Sequence, residues 1–403
     1  RCGYFTPFDK SRFPEPNPPF DAAPRFDAWK ASHEPFHWFV EFYGIMSGGG
    51  FDVVVGNPPY INASKVARQY RIRGLQSSAC PDIYACFIER SLDVLVGEGR
   101  CGMITPISLV FSTDFAVVRA AIESAASRNW YSTYARIPAA LFSADVRVRN
   151  TIWLTHKTPG PTTTMTTRLH RWFEPARPAL FGQLEYATCD PRLWGGTIPK
   201  LAPSPLVEAF EQYIKRTTGT VEESLSSTRS ANHILYWKKT AYNWLNCCRV
   251  LPPSYDAKGR PLADVNYGEM RFIDAESRDL AFVVLNTSLL FLYWCIRGDD
   301  LNVPRWIFAD FPLDLRHLSS GAKRRLLQLV EPLEDRMKAA TSFKLNAGKR
   351  VGNYNLAKCR DITSQVDREV CDIMGLSHLQ EELTLLYCQL VKTDFGTGDG
   401  DCE

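Results

Sequence analysis

The most constraining stretch of this chain is Phe51-Asp52-Val53-Val54-Val55-Gly56-Asn57-Pro58-Pro59-Tyr60. A short apolar, β-branched run is followed by a glycine and two consecutive prolines. The run is too short for a helix and fits a buried strand of a parallel sheet. Neither helix nor ladder continues through Pro58-Pro59, because each ring fixes φ and removes a backbone donor. The strand must end here and turn at once. In an open α/β sheet, ligands bind beyond the carboxyl ends of the strands, so residues 57–60 fall where a substrate goes.

The chemistry offered at that turn is specific. Two prolines leave their carbonyls as a rigid row of acceptors, Asn57 adds a side-chain carbonyl, and Tyr60 adds a flat aromatic face. This set suits a planar amino group with two N–H donors. An exocyclic amine on a ring is a poor nucleophile because its lone pair is delocalised. Accepting both hydrogens, with Asn57 Oδ1 and the Pro58 carbonyl, favours a tetrahedral nitrogen and frees the lone pair. The logic is that of an oxyanion hole with the sign reversed. A stacked Tyr60 would also favour positive charge on that nitrogen.

The flanking pattern supplies a sheet to carry the turn. Asp82 to Val96 has helical apolar spacing closing on Gly97, and Cys101 to Thr105 reads as a strand stopped by Pro106. Ser112 or Thr113 can cap a helix reaching about Ala126. Trp130 to Ile137 and Thr151 to Lys157 read as further strands. Strand–helix–strand alternation with short links predicts a parallel α/β sheet. Thr158 to Thr167 reads as a Pro/Thr-rich linker, 168–318 as irregular α+β, and Gly321 to Ala340 and 361–392 as helical. Two look-alikes are set aside. Asn17-Pro18-Pro19-Phe20 follows Pro14-Glu15-Pro16 and has no strand to present it. Gly97-x-Gly99-x-x-Gly102 lies between a helix and a strand, the reverse of the order phosphate binding needs, and is expected to be a turn.

Bulk properties narrow the class. A chain of 403 residues with 45% hydrophobic content builds two or three domains. A net charge of +3 means that any nucleic-acid contact must come from local patches. Twelve cysteines without a C-x-x-C spacing argue against a disulfide scaffold or metal site and for a reducing cytoplasm. The apolar run Leu280 to Ile296 is interrupted at Asn286-Thr287-Ser288 and falls short of the about 20 residues a membrane span needs. A strand, a capped turn and a buried helix are expected there, with no membrane partner. Because the chain starts at Arg1, it reads as a fragment.

The turn resembles the catalytic signature of amino-methyltransferases that use S-adenosylmethionine, and the likeness extends past it. Asp82-Ile83-Tyr84-Ala85-Cys86-Phe87-Ile88-Glu89-Arg90 is similar to that family's helix after the catalytic loop. Gly99 to Pro106 is similar to its next strand. Leu141-Phe142-Ser143 with Val146-Arg147-Val148-Arg149-Asn150-Thr151-Ile152 resembles the segment whose Phe packs on the target base. The order resembles gamma-type adenine-N6 DNA methyltransferases, as in single-chain type IIG restriction–modification and BREX-like phage-defence methylases. Weaker likenesses follow at Leu285-Asn286-Thr287-Ser288-Leu289, Phe308 to Leu313 and Gly352 to Leu356.

That resemblance implies the C-terminal half of a Rossmann-like methyltransferase sheet, then an α+β target-recognition domain and C-terminal helices. Residues 1–50 are then a linker and the end of a missing cofactor half, 51–158 the catalytic half, 159–320 the recognition domain and 321–403 a helical region. Asn57, Pro58, Pro59 and Tyr60 are implied to be catalytic, with Phe142, Tyr84 and Asp82 binding the flipped adenine. S-adenosylmethionine would be held mainly by an N-terminal remainder of the same polypeptide, so the fragment alone is expected to be inactive.

The partner implied is double-stranded DNA, whose adenine must be flipped out. Lys65, Arg68, Arg71 and Arg73 follow the turn, and Arg147 and Arg149 follow Phe142, as expected of phosphate grips. Lys238, Lys239 and Arg305, with Trp237, Trp244, Asn246 and Trp306 nearby, are the candidates for base reading. Each also has a plainer explanation as solvated charge or core aromatic. Two other readings stay open: a methyltransferase acting on glutamine or an RNA base, and a non-catalytic sequence-specific DNA-binding module.

Overall fold

In the computed structural model, residues 27–28, 30–32, 34, 36–67, 71–142, 148–228, 230–262 and 266–391 are described. They fall into two compact units. The first takes the residues up to Tyr131 together with Asn150–Met165, and the second takes Ser132–Arg149 and Thr166 onwards. The fold is mixed α/β.

In the first unit, two short helices, α1 (Trp38–Glu41) and α2 (Tyr43–Ser47), precede strand β1 (Phe51–Gly56). The His37 side chain caps α1 by accepting from Phe39 N. Trp38 and Phe42 meet Phe51 edge-on, with centroids 5.7 and 5.5 Å apart. The stretch read as linker therefore ends in helical turns whose Trp38 and Phe42 rings contact Phe51. The entry to β1 needs a glycine: Gly50 has φ +124°, and a Cβ there would lie 2.2 Å from the Val94 carbonyl.

Helix α3 (Tyr84–Asp93) is the crossover that lets β2 (Leu95–Pro106) run parallel to β1, with Val54 opposite Cys101 and Gly56 opposite Met103. The helix buries Tyr84, Ala85, Ile88 and Leu92. Its Glu89 carboxylate accepts from the backbone N–H groups of Gln76 and Ser77 at 3.1 and 2.8 Å, holding the loop before the helix. Strand β2 starts earlier than expected, so Gly97, Gly99 and Gly102 lie within it rather than in a turn. The pairing jumps from Phe51–Leu95 to Val53–Arg100, and Glu98 has φ +64° inside that bulge. The glycines thus serve a strand irregularity, with no helix N-terminus beside them.

After β2, Ser112 caps a single 3-10 turn leading into α4 (Ala116–Ala125), as its residue type predicts. Then come β3 (Arg128–Tyr134), β4 (Asn150–His156) and β5 (Thr163–His170). With β6 (Ala187–Cys189) the sheet order is β1-β2-β4-β3-β5-β6, and residues of β3 and β5 are divided between the units. The expected parallel pairing is present between β1 and β2, and the sheet becomes mixed beyond it. β4 runs antiparallel to β2, with Ile104 opposite Ile152, and the described residues leading into it contain no crossover helix. The expected linker 158–167 is corrected: its β-branched threonines extend into β5.

The second unit continues with α5 (Ser204–Arg216) and a three-stranded sheet of order β8-β7-β9. Its strands are β7 (His233–Lys238), β8 (Cys247–Cys248) and β9 (Tyr267–Phe272), antiparallel throughout. Helices α6 (Ala275–Val284) and α7 (Ser288–Arg297) meet at a 77° bend. The strand expected at the start of Leu280 to Ile296 is thus a helix. Burial on all sides erases the alternation that separates the two. Asn286 sits at the bend because its amide is fully used, accepting from Cys247 N and donating to the Cys247 and Phe282 carbonyls. Thr287 caps α7. Among the described residues no single helix is long and apolar enough to cross a membrane.

Helices α8 (Ser320–Leu327) and α9 (Val330–Ala339), a hairpin of β10 (Thr341–Asn346) and β11 (Lys349–Tyr354), then α10 (Arg360–Met374) and α11 (Gln380–Val391) complete the unit. The C-terminal region is therefore helical apart from one hairpin. Buried Arg171 ties distant segments together: it donates to Asp300 Oδ1 at 3.2 Å, to the Leu390 carbonyl at 2.6 Å and to the Tyr242 carbonyl at 2.9 Å.

Two outcomes follow from this packing. Gly50→Ala forces a strained φ and a clash with Val94, and is expected to cost about 2 kcal/mol or more, read as a lowered denaturant midpoint. Lys200 is fully buried, and burial pulls its amine down from its ordinary 10.5 to about 7. Above pH 10.5 it is neutral folded or unfolded. As pH falls, the unfolded chain takes up the proton first, so stability drops towards pH 7. Lys200→Met should gain stability over the parent at pH 7 and little near pH 10, since the Ile296 carbonyl keeps its bond from Lys200 N. Thermal melts showing no pH dependence in that difference would refute the assignment.

Candidate active site

The four residues after β1 divide by environment. Asn57 is exposed, Pro58 buried, and Pro59 and Tyr60 half-buried. Among the described residues the Asn57 side chain makes no hydrogen bond, so its amide is open to a ligand. Tyr60 is fixed. Its hydroxyl donates to the Ile104 carbonyl at 3.0 Å and accepts from Asn150 Nδ2 at 3.2 Å. Asn150 Nδ2 also approaches the Thr105 carbonyl at 3.4 Å. The Tyr60 ring is thus anchored to both of the neighbouring strands β2 and β4, and desolvation pushes its hydroxyl up to about 12. The phenol stays neutral through the physiological range and acts here as a positioning group.

The chain after Tyr60 is pinned as well. Ile83 N donates to the Ile61 carbonyl at 3.0 Å, and Ala63 N donates to the Pro81 carbonyl, with Asn62 bridging to Asp82. Asn62 Oδ1 accepts from Ser64 N at 3.0 Å, capping a helical turn over Ala63–Val66. Asp82 therefore lies beside the loop that follows the turn. Half-buried, it has its carboxyl raised by desolvation.

The other expected site residues separate. Tyr84 is a core residue: it has no exposed surface, stacks on Phe115 at 4.9 Å and shares a hydrogen bond with Ser108 Oγ at 2.9 Å. Its place on the buried stripe of α3 explains why it cannot offer a face to a ligand. Phe142 is half-buried and belongs to the second unit. Lys65, Arg71 and Arg73 are exposed, while Arg68, Arg147 and the Asn17–Phe20 copy lie outside the described residues.

Arg149 is corrected as a free phosphate grip. Only 13% exposed, it faces the buried Asp300 at 3.8 Å within the second unit. Lys238 donates to Asn353 Oδ1, and Arg305 pairs with Glu222 at 3.1 Å, so both have internal partners. Lys239 is exposed. Trp237 is core, donating to the Val303 carbonyl at 2.8 Å, and Asn246 is buried and donates to the Tyr354 carbonyl at 2.8 Å. Trp306 lies under the Arg297 guanidinium, 5.2 Å from the ring centre. The residue that sequence reasoning missed is Asn150. Its partners lie 45 and 90 positions away, and no local pattern announces them.

Comparison with known proteins bears on this same segment. Residues 16–132 match the Eco57I restriction-modification methylase family. Over 126 residues the chain is 31% identical to a protein of Methanocaldococcus jannaschii named as a type II restriction enzyme and methyltransferase. That alignment covers 31% of this chain, and the chain spans about a tenth of the length of that relative, 10%. Among solved structures, the type IIL restriction-modification enzyme MmeI in complex with DNA aligns with 84% of this chain and 57% of its own, at 8% identity and TM-score 0.42. A protein described as a class I S-adenosylmethionine-dependent methyltransferase of Listeria monocytogenes aligns with 33% of this chain and 41% of its own, at 17% identity and TM-score 0.23. Overlays this loose assign no chemistry.

The geometry separates the two ends of the motif in a way stability can read. Tyr60→Phe removes a hydroxyl with two internal partners and should cost about 1 kcal/mol. Asn57→Ala breaks no internal bond and should leave the thermal midpoint within error. Equal losses for the two variants would mean that Asn57 is structural.

Proposed function

We propose that this chain carries the target-amine site of a DNA adenine-N6 methyltransferase from a restriction–modification or phage-defence enzyme. One observation carries the reading: at the carboxyl end of a parallel strand, an exposed Asn57 amide with no hydrogen bond among the described residues stands beside Pro58, while Tyr60 is locked by two hydrogen bonds. The match of residues 16–132 to restriction-modification methylases supports it. A flipped adenine would place its amino hydrogens on Asn57 Oδ1 and the Pro58 carbonyl, with Tyr60 against the ring. Withdrawing the nitrogen lone pair from the ring at a preorganised pair of acceptors makes the amine nucleophilic without a Cys or a general base.

S-adenosylmethionine supplies an electrophilic methyl group in this chemistry. The described residues do not fit its pocket. β1 is the sheet's edge strand, Val53 and Val55 on it are 59% and 80% exposed, and only α1 and α2 are described close before it. We therefore assign the donor to residues outside those described, in an N-terminal remainder of the polypeptide covering that apolar edge. Lys65, Arg71 and Arg73 are the phosphate grips of this reading, with Arg68. The partition into a catalytic half (51–158), a recognition region (159–320) and a C-terminal region (321–403), and a cytoplasmic location, belong to the same proposal.

The test uses the full-length polypeptide with S-adenosylmethionine and duplex DNA, RNA and protein as acceptors. Methyl incorporation into adenine of duplex DNA is expected, and Asn57→Ala should lower its rate by about a hundredfold or more, the scale of losing one preorganised polar partner. DNA affinity should change little. Incorporation into glutamine or RNA alone would assign the same motif to another planar amine, and an unaffected Asn57→Ala rate would end the proposal.

A further inference from the structure

The second unit contains a built cavity that the methyl-transfer reading does not use. It has a volume of about 240 Å³ and is lined by β5, the segment ending at Glu185, the start of α5 and the outer part of α11. Arg168 and His170 alternate by two along β5 and so share a face. His170 is 6% exposed, stacks on Tyr134 at 5.5 Å, and its Nε2 is buried without a hydrogen-bond partner among the described residues. Burial and the nearby Arg168 charge push the imidazole down to about 3, so it is neutral. The Arg168 guanidinium, itself largely desolvated, forms no hydrogen bond or ion pair with a described residue, and feels only the Glu185 charge. The guanidinium has no partner among the described residues and lines the cavity, where a ligand offering paired acceptors would satisfy it.

The lining says what kind. Glu185 and Glu382 supply two carboxylates against one guanidinium, which disfavours an anion. Pro203, Leu206 and Leu386 give apolar walls suited to a flat ring. A neutral planar ligand is required, with paired acceptors on one edge for Arg168 and N–H donors on another for a carboxylate. Guanine has this pattern: O6 and N7 accept from arginine, and N1–H and the 2-amino group donate. Adenine offers an N–H donor where O6 would be.

We propose that the cavity beside Arg168 and His170 is a guanine-binding site, taking the base either as a free nucleoside or from a single-stranded oligonucleotide. The site stands apart from methyl transfer and needs no methyl donor. In calorimetric titrations of the full chain, guanosine is the free-base probe. Short single-stranded DNA carrying one guanine among thymines is the nucleic-acid probe, with adenosine and an all-thymine strand as controls. Guanosine binding is expected, with adenosine at least tenfold weaker. Binding of the guanine-bearing strand alone would assign the base to nucleic acid. Arg168→Met should weaken binding at least tenfold. Leu385→Trp, at a position lining the cavity and 60% exposed, should do the same by filling it without disturbing the core. Unchanged melting of Leu385→Trp separates lost binding from lost fold. Equal binding of guanosine and adenosine, no binding of either guanine probe, or guanine binding indifferent to both substitutions would each overturn the assignment.

Discussion

The parallel pairing of β1 with β2 is the constraint on which the first unit turns. Parallel neighbours cannot be joined by a hairpin, so the chain must travel back along the sheet before β2 begins. Helix α3 makes that return, and the Asn57–Tyr60 turn is left at the carboxyl end of the strands. The Asn-Pro-Pro-Tyr turn therefore sits where it does for a topological reason, and the pairing of residues 61–63 with 81–83 closes the loop against the start of the helix. Gly50 admits β1 to this arrangement, and Glu89 holds the loop in front of α3.

Within that frame, rigidity and openness are distributed residue by residue. Tyr60 spends its hydroxyl on β2 and on Asn150, and Pro58 is buried, while Asn57 remains exposed with its amide unused. A site that accepts the hydrogens of an incoming amine needs this combination. Acceptors that move would lose their preorganisation, and acceptors already paired would have nothing to offer. The contrast with the second unit is instructive. There, Arg149, Lys238 and Arg305 each face an internal partner.

How much of this was legible in the sequence depended on the range of the interaction. The strand, the turn after it, the helix at Tyr84–Asp93 and the Ser112 cap are local, and their periodicities and turn residues announce them. The antiparallel entry of β4 was not legible, because a strand's direction in the sheet is a long-range property. Helix α6 was misread as a strand for a different reason. Leu280 to Leu285 is buried on every side, and a segment without an exposed face has no period to display. The Asn150 contact to Tyr60 was invisible since an asparagine opening a strand carries no label of its partner. Tyr84 shows the opposite hazard: a residue inside a family-like motif, expected to bind the adenine, proves to be core.

Arg171 has a consequence for how the second unit comes into being. One of its guanidinium bonds reaches the carbonyl of Leu390, 219 positions later, and others reach Tyr242 and Asp300. A cation this deeply enclosed is costly until its partners surround it. On the ribosome, the clamp cannot close until α11 has emerged from the exit tunnel. Until then Arg171 has an incomplete set of partners and β5 an unfinished neighbourhood. The Arg171 clamp is thus obliged to close late, only once α11 has joined β5 and the Tyr242 and Asp300 segments.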